Sequence, residues 1–207
     1  MNLNKLFIEH CKKNNLEINS YQLSIIDELK NYYNLSFNKS ILNKIFSKTT
    51  SKPAFYLYGG VGVGKTMILN FFFDLVEEKK LRQHFNEFIL SFHDFAHERK
   101  ENNEENVISQ FVKDLKSKTK LIYFDEFQVT NIVDAMILGK LFEQIFKENI
   151  KIILTSNIKI SELYRDGLQR DQFKPFIKIM DELSVEFELK IEDDYRKSNE
   201  NLSLIHI

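Results

Sequence analysis

The 207-residue sequence holds one cysteine, Cys11, two prolines, six glycines and no tryptophan. A lone cysteine excludes a disulfide framework and a cysteine-based zinc site, and it fits a reducing compartment. No apolar run approaches the roughly 20 residues that cross a bilayer. The stretch from Met1 to Asn15 lacks the apolar centre of a secretory signal, so none is expected. Neither sign of charge dominates: 29 Lys and Arg stand against 30 Asp and Glu. That balance argues against a protein that coats nucleic acid. Nor is the chain polar enough for wholesale disorder, because 43% hydrophobic and 29% charged residues are globular proportions.

What is scarce is also concentrated. Four of the six glycines, Gly59, Gly60, Gly62 and Gly64, fall within six residues. Arginine occurs at five places only, Arg82, Arg99, Arg165, Arg170 and Arg196, which weakly marks positions where a planar fork is wanted over a lysine. The 19 phenylalanines read as compositional bias and carry no function.

Residues 3–35 read as helical, with Leu23, Ile26, Leu29 and Tyr33 at helical spacing, and 41–50 as a short helix. Ala54–Tyr58, Leu121–Asp125 and Ile150–Thr155 are short apolar runs of the kind that form strands buried on both faces. Further strands are expected at His84–Phe88 and Ser184–Leu189. Helices are expected at Lys65–Lys79, Ser91–Lys100, Val107–Lys116, Ile132–Phe146, Ser161–Asp166 and Gln172–Glu182. In Ile132–Phe146 the apolar positions are 132, 133, 136, 137, 141, 142 and 145. Strands alternating with helices predict an α/β layer fold around a parallel sheet.

The glycine cluster is the first half of a motif. Gly59-Gly60-Val61-Gly62-Val63-Gly64-Lys65-Thr66 satisfies G-x-x-x-x-G-K-[ST], follows a strand and opens a helix. Its glycines let successive N–H groups turn inward as an anion nest, and the helix N-terminus adds partial positive charge. Lys65 would reach the β- and γ-phosphates of ATP, and the Thr66 hydroxyl would ligate Mg²⁺. The alternative is a glycine-rich turn with a chance lysine.

The run Leu121-Ile-Tyr-Phe-Asp125-Glu126 sends a carboxylate out of a strand's C-terminal end, where open α/β sheets place ligands. Asp125 suits the Mg²⁺ shell in the manner of a Walker B aspartate, and Glu126 can polarise an attacking water. Read without the P-loop, the pair is a solvated strand end. Asn157, after a third strand, is placed to hydrogen-bond a γ-phosphate or the water, or is a plain turn residue. Arg170 suits an arginine finger acting on a neighbouring subunit, or a surface salt bridge with Asp166 or Asp171; Arg165 is the second candidate. His93 and His97 stand one helical turn apart with no third ligand at a diagnostic spacing, and read as structural or surface histidines.

An ordered series of motifs resembles the ZapE/Lace-type family of AAA+ P-loop ATPases from about Gln22 to Arg196. It comprises Tyr56 to Met67, His84-Phe85 followed by His93 and His97, Phe124-Asp-Glu-Phe-Gln-Val-Thr130, Asp134-Ala-Met-Ile-Leu138, Thr155-Ser-Asn157, Leu163-Tyr164, Gly167-Leu-Gln-Arg170, Pro175-Phe-Ile177 and Asp194-Tyr-Arg196. The resemblance implies a five-stranded sheet in the order 5-1-4-3-2, ATP hydrolysis coupled to work on protein partners, and a homo-oligomer. It makes Asn157 the sensor of nucleotide state and Arg170 the arginine finger. Bacterial members are associated with cell division and mitochondrial members with quality control at the inner membrane, so a cytoplasmic protein, peripheral at that membrane, is expected.

The sequence departs from the family's pattern at Val63, Asn131 and Ile160, where the family usually has Arg, Asp and Pro. Family members also continue into a helical lid, whereas this sequence ends eleven residues after Arg196, so the resemblance implies an N-terminal helical segment over 1–50, an ATPase core over 51–193 and a short tail over 194–207 without a lid. Two other functions stand beside the ATPase. One is a nucleotide-binding scaffold or decayed fragment without turnover. The other is a DNA-linked AAA+ loader, which the neutral charge and the Phe124–Thr130 run disfavour.

Overall fold

A computed structural model describes residues 3–37, 52–99 and 104–190 of the chain. Five parallel strands form one sheet: β1 (Ala54–Tyr58), β2 (Lys80–His84), β3 (Leu121–Asp125), β4 (Lys151–Ser156) and β5 (Ser184–Glu188). Their order is β2-β3-β4-β1-β5, the 5-1-4-3-2 arrangement that the motif series implies. Residues alternate between the two faces, as a pleated strand requires. Tyr56, Phe124, Ile152 and Leu154 face α4 (Phe85–Arg99), α5 (Glu104–Lys118), α6 (Ile132–Lys147) and α7 (Arg170–Leu183). Phe55, Leu57, Tyr123 and Ile153 face α1 (Leu3–Lys13), α2 (Ser20–Phe37) and α3 (Lys65–Leu75). Helices on both faces explain why the three central strands are buried almost throughout and carry mostly apolar residues. Many of the phenylalanines serve the first face, where Phe127 lies 4.4 Å from Phe85 and Phe88 lies 4.8 Å from Phe124, centroid to centroid.

Several boundaries differ from the sequence-based expectation. No strand covers His84–Phe88: β2 ends at His84 and Phe85 opens α4. The Glu87 carboxylate accepts from the His84 amide at 3.3 Å, and Phe85, Phe88, Ile89 and Phe92 then recur at helical spacing. Because β2 is an edge strand and half exposed, Lys80-Leu-Arg-Gln-His84 carries no strand-like apolar pattern. Residues 3–35 form two helices, not one. Asn15 adopts φ +52°, and Asn19 and Gln22 exchange side-chain-to-amide hydrogen bonds at 2.8 and 3.1 Å, a capping box that starts α2. The helix expected through Lys79 stops at Leu75, where Lys80 Nζ donates to the carbonyls of Phe73 and Asp74 at 2.5 and 3.1 Å. The helix expected over Ser161–Asp166 is a single 3₁₀ turn, Ile160–Glu162, ended by Tyr164 at φ +53°. In α6 the buried positions are Ala135, Leu138, Leu141, Phe142 and Ile145, while Val133 and Met136 are exposed. The short helix expected over 41–50 and the tail over 194–207 lie outside the described residues.

The N-terminal helices are tied to the sheet by a polar contact within the packing. Tyr32 is buried, and its hydroxyl donates to the carbonyls of Pro53 at 2.8 Å and Ile152 at 3.2 Å. Burial pushes its ionisation well above that of an ordinary tyrosine. Tyr32→Phe leaves both carbonyls without that donor, and is expected to lower stability by about 1–2 kcal/mol. The check is urea unfolding, with a lower midpoint and an unchanged slope.

Candidate active site

The P-loop leaves β1 at Gly59 and enters α3 at Lys65. Gly59 must be glycine, because a Cβ there would overlap the Leu189 carbonyl. Gly64, the α3 N-cap, has φ +96° and no side chain to accept from the helix's first-turn N–H groups. Those donors suit an anion. Lys65 is buried, and its ammonium donates to the carbonyls of Gly59 at 2.8 Å and Gly60 at 2.7 Å and to Asn157 Oδ1 at 3.0 Å. Burial lowers its pKa, opposed by the negative charges of Asp125 and Glu126.

Asp125 ends β3 and is buried. Its Oδ1 accepts from Thr155 Oγ1 at 2.7 Å, Thr66 Oγ1 at 3.0 Å and the Tyr123 hydroxyl at 3.2 Å; its Oδ2 accepts from Arg82 at 2.9 Å. Burial alone would raise this carboxyl's pKa, but the donors from Thr155, Arg82, Thr66 and Tyr123 outweigh it and hold the pKa below the usual aspartate value. The Thr66 hydroxyl and the Asp125 carboxylate are hard oxygen donors, which fit Mg²⁺ better than a softer transition metal. Among the described residues no cluster of three or more His, Cys, Asp or Glu could hold a metal, and no helix is long and apolar enough to cross a membrane.

The next residue turns outward. Glu126 has φ +54°, an uncommon conformation for a side-chain-bearing residue, and it is exposed. Its neighbours impose this. The Glu126 amide donates to Thr155 Oγ1 at 3.0 Å, and the Phe127 amide donates to the Thr155 carbonyl at 2.7 Å. Phe127 is buried in the aromatic layer, so the backbone must reverse between two anchored residues and throw the Glu126 side chain to solvent. Among the described residues that side chain makes no hydrogen bond. A cavity of about 350 Å³, lined by Tyr58, Gly59, Gly60, Asn157 and Lys159 among others, opens beside the loop. It is large enough for part of a small ligand.

Direct hydrogen bonds thus join the P-loop residues Lys65 and Thr66 to Asn157 and Asp125, which lie far away in sequence. Val61, at the tip of the loop, is exposed and Val63 is buried in the core on the α1–α3 face of the sheet. Arg170 is not part of this cluster: its guanidinium donates to the Ser161 carbonyl at 2.9 Å, and its buried Nε has no partner among the described residues. Arg165 pairs loosely with Glu162 at 3.8 Å. His93 faces a carboxylate across helices, with Nε2 2.8 Å from Asp134 Oδ1. Asn131, a departure from the family pattern, still caps α6 by accepting from the Val133 amide at 2.9 Å. Sequence reasoning missed Arg82, Tyr123 and Thr155 as partners of Asp125. The one signal available for Arg82 was the rarity of arginine.

A family-wide profile described as AFG1-like ATPase matches residues 6–205. The chain belongs to the AFG1-like ATPase family. Lactation elevated protein 1 homolog B of Danio rerio is 40% identical over 159 residues, covering 72% of this chain and 32% of its own length. Cell division protein ZapE of Escherichia coli (strain K12) is 40% identical over 134 residues, covering 63% of this chain and 35% of its own. The chain therefore spans well under half the length of these relatives. Among solved structures, domain III of the Thermotoga maritima replication initiation protein DnaA aligns with a TM-score of 0.55 at 17% identity, over 93% of this chain and 73% of that one. The DnaC helicase loader aligns with a TM-score of 0.54 at 12% identity, over 84% and 92%. At such identities the likeness concerns the fold alone, an AAA+ type P-loop core.

The depressed Asp125 pKa has a consequence for stability. A carboxyl whose folded pKa lies below its unfolded value, about 3.9, stabilises the fold above that pH and loses the contribution as pH falls through the folded pKa. In Asp125→Asn that pH dependence disappears. Urea midpoints measured between pH 6 and pH 2.5 should therefore fall less steeply in the variant than in the unaltered chain.

Proposed function

We propose that this chain binds ATP with Mg²⁺ on Gly59–Thr66 and hydrolyses it. The observation that carries the reading is the pair of hydrogen bonds joining the P-loop to the ends of β3 and β4, Thr66 to Asp125 at 3.0 Å and Lys65 to Asn157 at 3.0 Å. Backbone N–H groups of the loop and of the first turn of α3 bind the phosphate oxygens. Lys65 would exchange its loop carbonyls for the β- and γ-phosphates, and Thr66 and Asp125 would hold the metal. The metal, when bound, neutralises charge that develops on the phosphates. Glu126, exposed and with no side-chain hydrogen bond among the described residues, accepts a proton from the attacking water, and Asn157 orients that water or the γ-phosphate.

Arg170 is assigned to the site of a neighbouring copy in a homo-oligomer, where it would leave the Ser161 carbonyl to meet the transferring phosphoryl group. Its Nε has no hydrogen-bond partner among the described residues, which supports a guanidinium not fully committed to its own chain. Arg165 is the second candidate. The reading extends to a protein partner as the object of the work and to a cytoplasmic setting peripheral to a membrane; the similarity to a cell division protein supports the partner.

Two variants test this reading. Lys65→Ala should weaken binding of a fluorescent ATP analogue by about tenfold or more, the loss of a charge-assisted contact; undiminished affinity would remove the P-loop from the site. Glu126→Gln should bind ATP normally while hydrolysis, followed as phosphate release, falls by about 10²-fold or more. A near-normal rate would take the general base elsewhere.

A further inference from the structure

Arg82 stands outside the motifs that identify the site, yet it makes the contact to Asp125 Oδ2 among the described residues. It lies on the edge strand β2, in register with Tyr123, and its guanidinium carbon sits 5.1 Å from the centre of the Tyr123 ring. The two oxygens of Asp125 are held in different ways. Oδ1 is gripped by three neutral hydroxyls, from Thr66, Tyr123 and Thr155. Oδ2 is held by a cation at 2.9 Å whose side chain is 42% exposed, against 6% for Asp125.

A buried, ionised carboxylate needs a countercharge. Here the countercharge sits at the solvent-facing end of the pair, on a long side chain with water to retreat into and an aromatic ring to rest on. The three hydroxyls, in contrast, all bind Oδ1, so none of their contacts involves the oxygen that Arg82 holds. A divalent cation approaching Oδ2 meets a guanidinium that both occupies the oxygen and repels it.

We propose that Arg82 is a placeholder cation. It neutralises and orients Asp125 until Mg²⁺ arrives with the nucleotide, and so sets the Mg²⁺ concentration the site demands. Arg82 is in this sense a positioning residue that acts through Asp125. The inference rests on the reading that Asp125 belongs to the metal shell.

The test is a Mg²⁺ titration of the 207-residue chain with a fluorescent ATP analogue, repeated in EDTA, for the unaltered chain, Arg82→Gln and Arg82→Lys. Removing the competing charge should lower the Mg²⁺ concentration at half-saturation by about three- to tenfold in Arg82→Gln, the range for a partly exposed charge-assisted contact. Arg82→Lys, a point charge without the fork, should fall between the two, and by itself decides the matter if Arg82→Gln folds poorly. A role confined to folding moves nucleotide affinity by the same factor with Mg²⁺ and with EDTA. A half-saturation unchanged or raised in the variants overturns the placeholder while leaving the metal at Asp125 intact. If binding to the unaltered chain ignores Mg²⁺ altogether, the metal reading fails and the placeholder fails with it.

Discussion

Asp125 is where the strands and the loop meet. Its carboxylate accepts from Thr66 on α3, Arg82 on β2, Tyr123 on its own strand and Thr155 on β4. Charge-assisted hydrogen bonds in a water-poor setting are stronger than the same bonds in solvent, and a carboxylate buried without them would be protonated or expelled. One group therefore sets the distance between the P-loop helix and the C-terminal ends of β3 and β4.

The corner after Asp125 shows how packing produces reactivity. Asp125 points inward to its donors and Phe127 points inward to an aromatic layer. Two consecutive inward anchors around a single residue leave that residue outward, at a positive φ. Strain of this kind persists when the surroundings over-determine it. Here the fixed elements are the Thr155 hydroxyl and carbonyl, which take the amides of Glu126 and Phe127. The result is a carboxylate beside the phosphate loop with no structural partner among the described residues.

The mismatches between sequence pattern and structure share a cause. β2 is an edge strand, so half of its side chains face water and its apolar pattern fades. The start of α6 presents Val133 and Met136 to solvent, because the helix is rotated to seat Ala135, Leu138 and Phe142 on the sheet. The 3₁₀ turn Ile160–Glu162 reads as a helix in its residue types, yet the left-handed Tyr164 stops it. Each depends on what lies next to the segment in space.

What the sequence determined by itself was local and strongly patterned: the glycine cluster, the apolar β1, β3 and β4, and the carboxylate at a strand's end. These are legible because a phosphate loop needs glycine where the backbone turns back on itself and strands covered on both faces need unbroken apolar runs. The tertiary structure alone decided that Arg82 and Thr155 converge on Asp125, that Lys65 meets Asn157, and that Glu126 faces solvent at a positive φ. Those pairings join strands that are distant in the chain and adjacent in the sheet. The order in which parallel strands stack sets which side chains meet, and no local pattern encodes it.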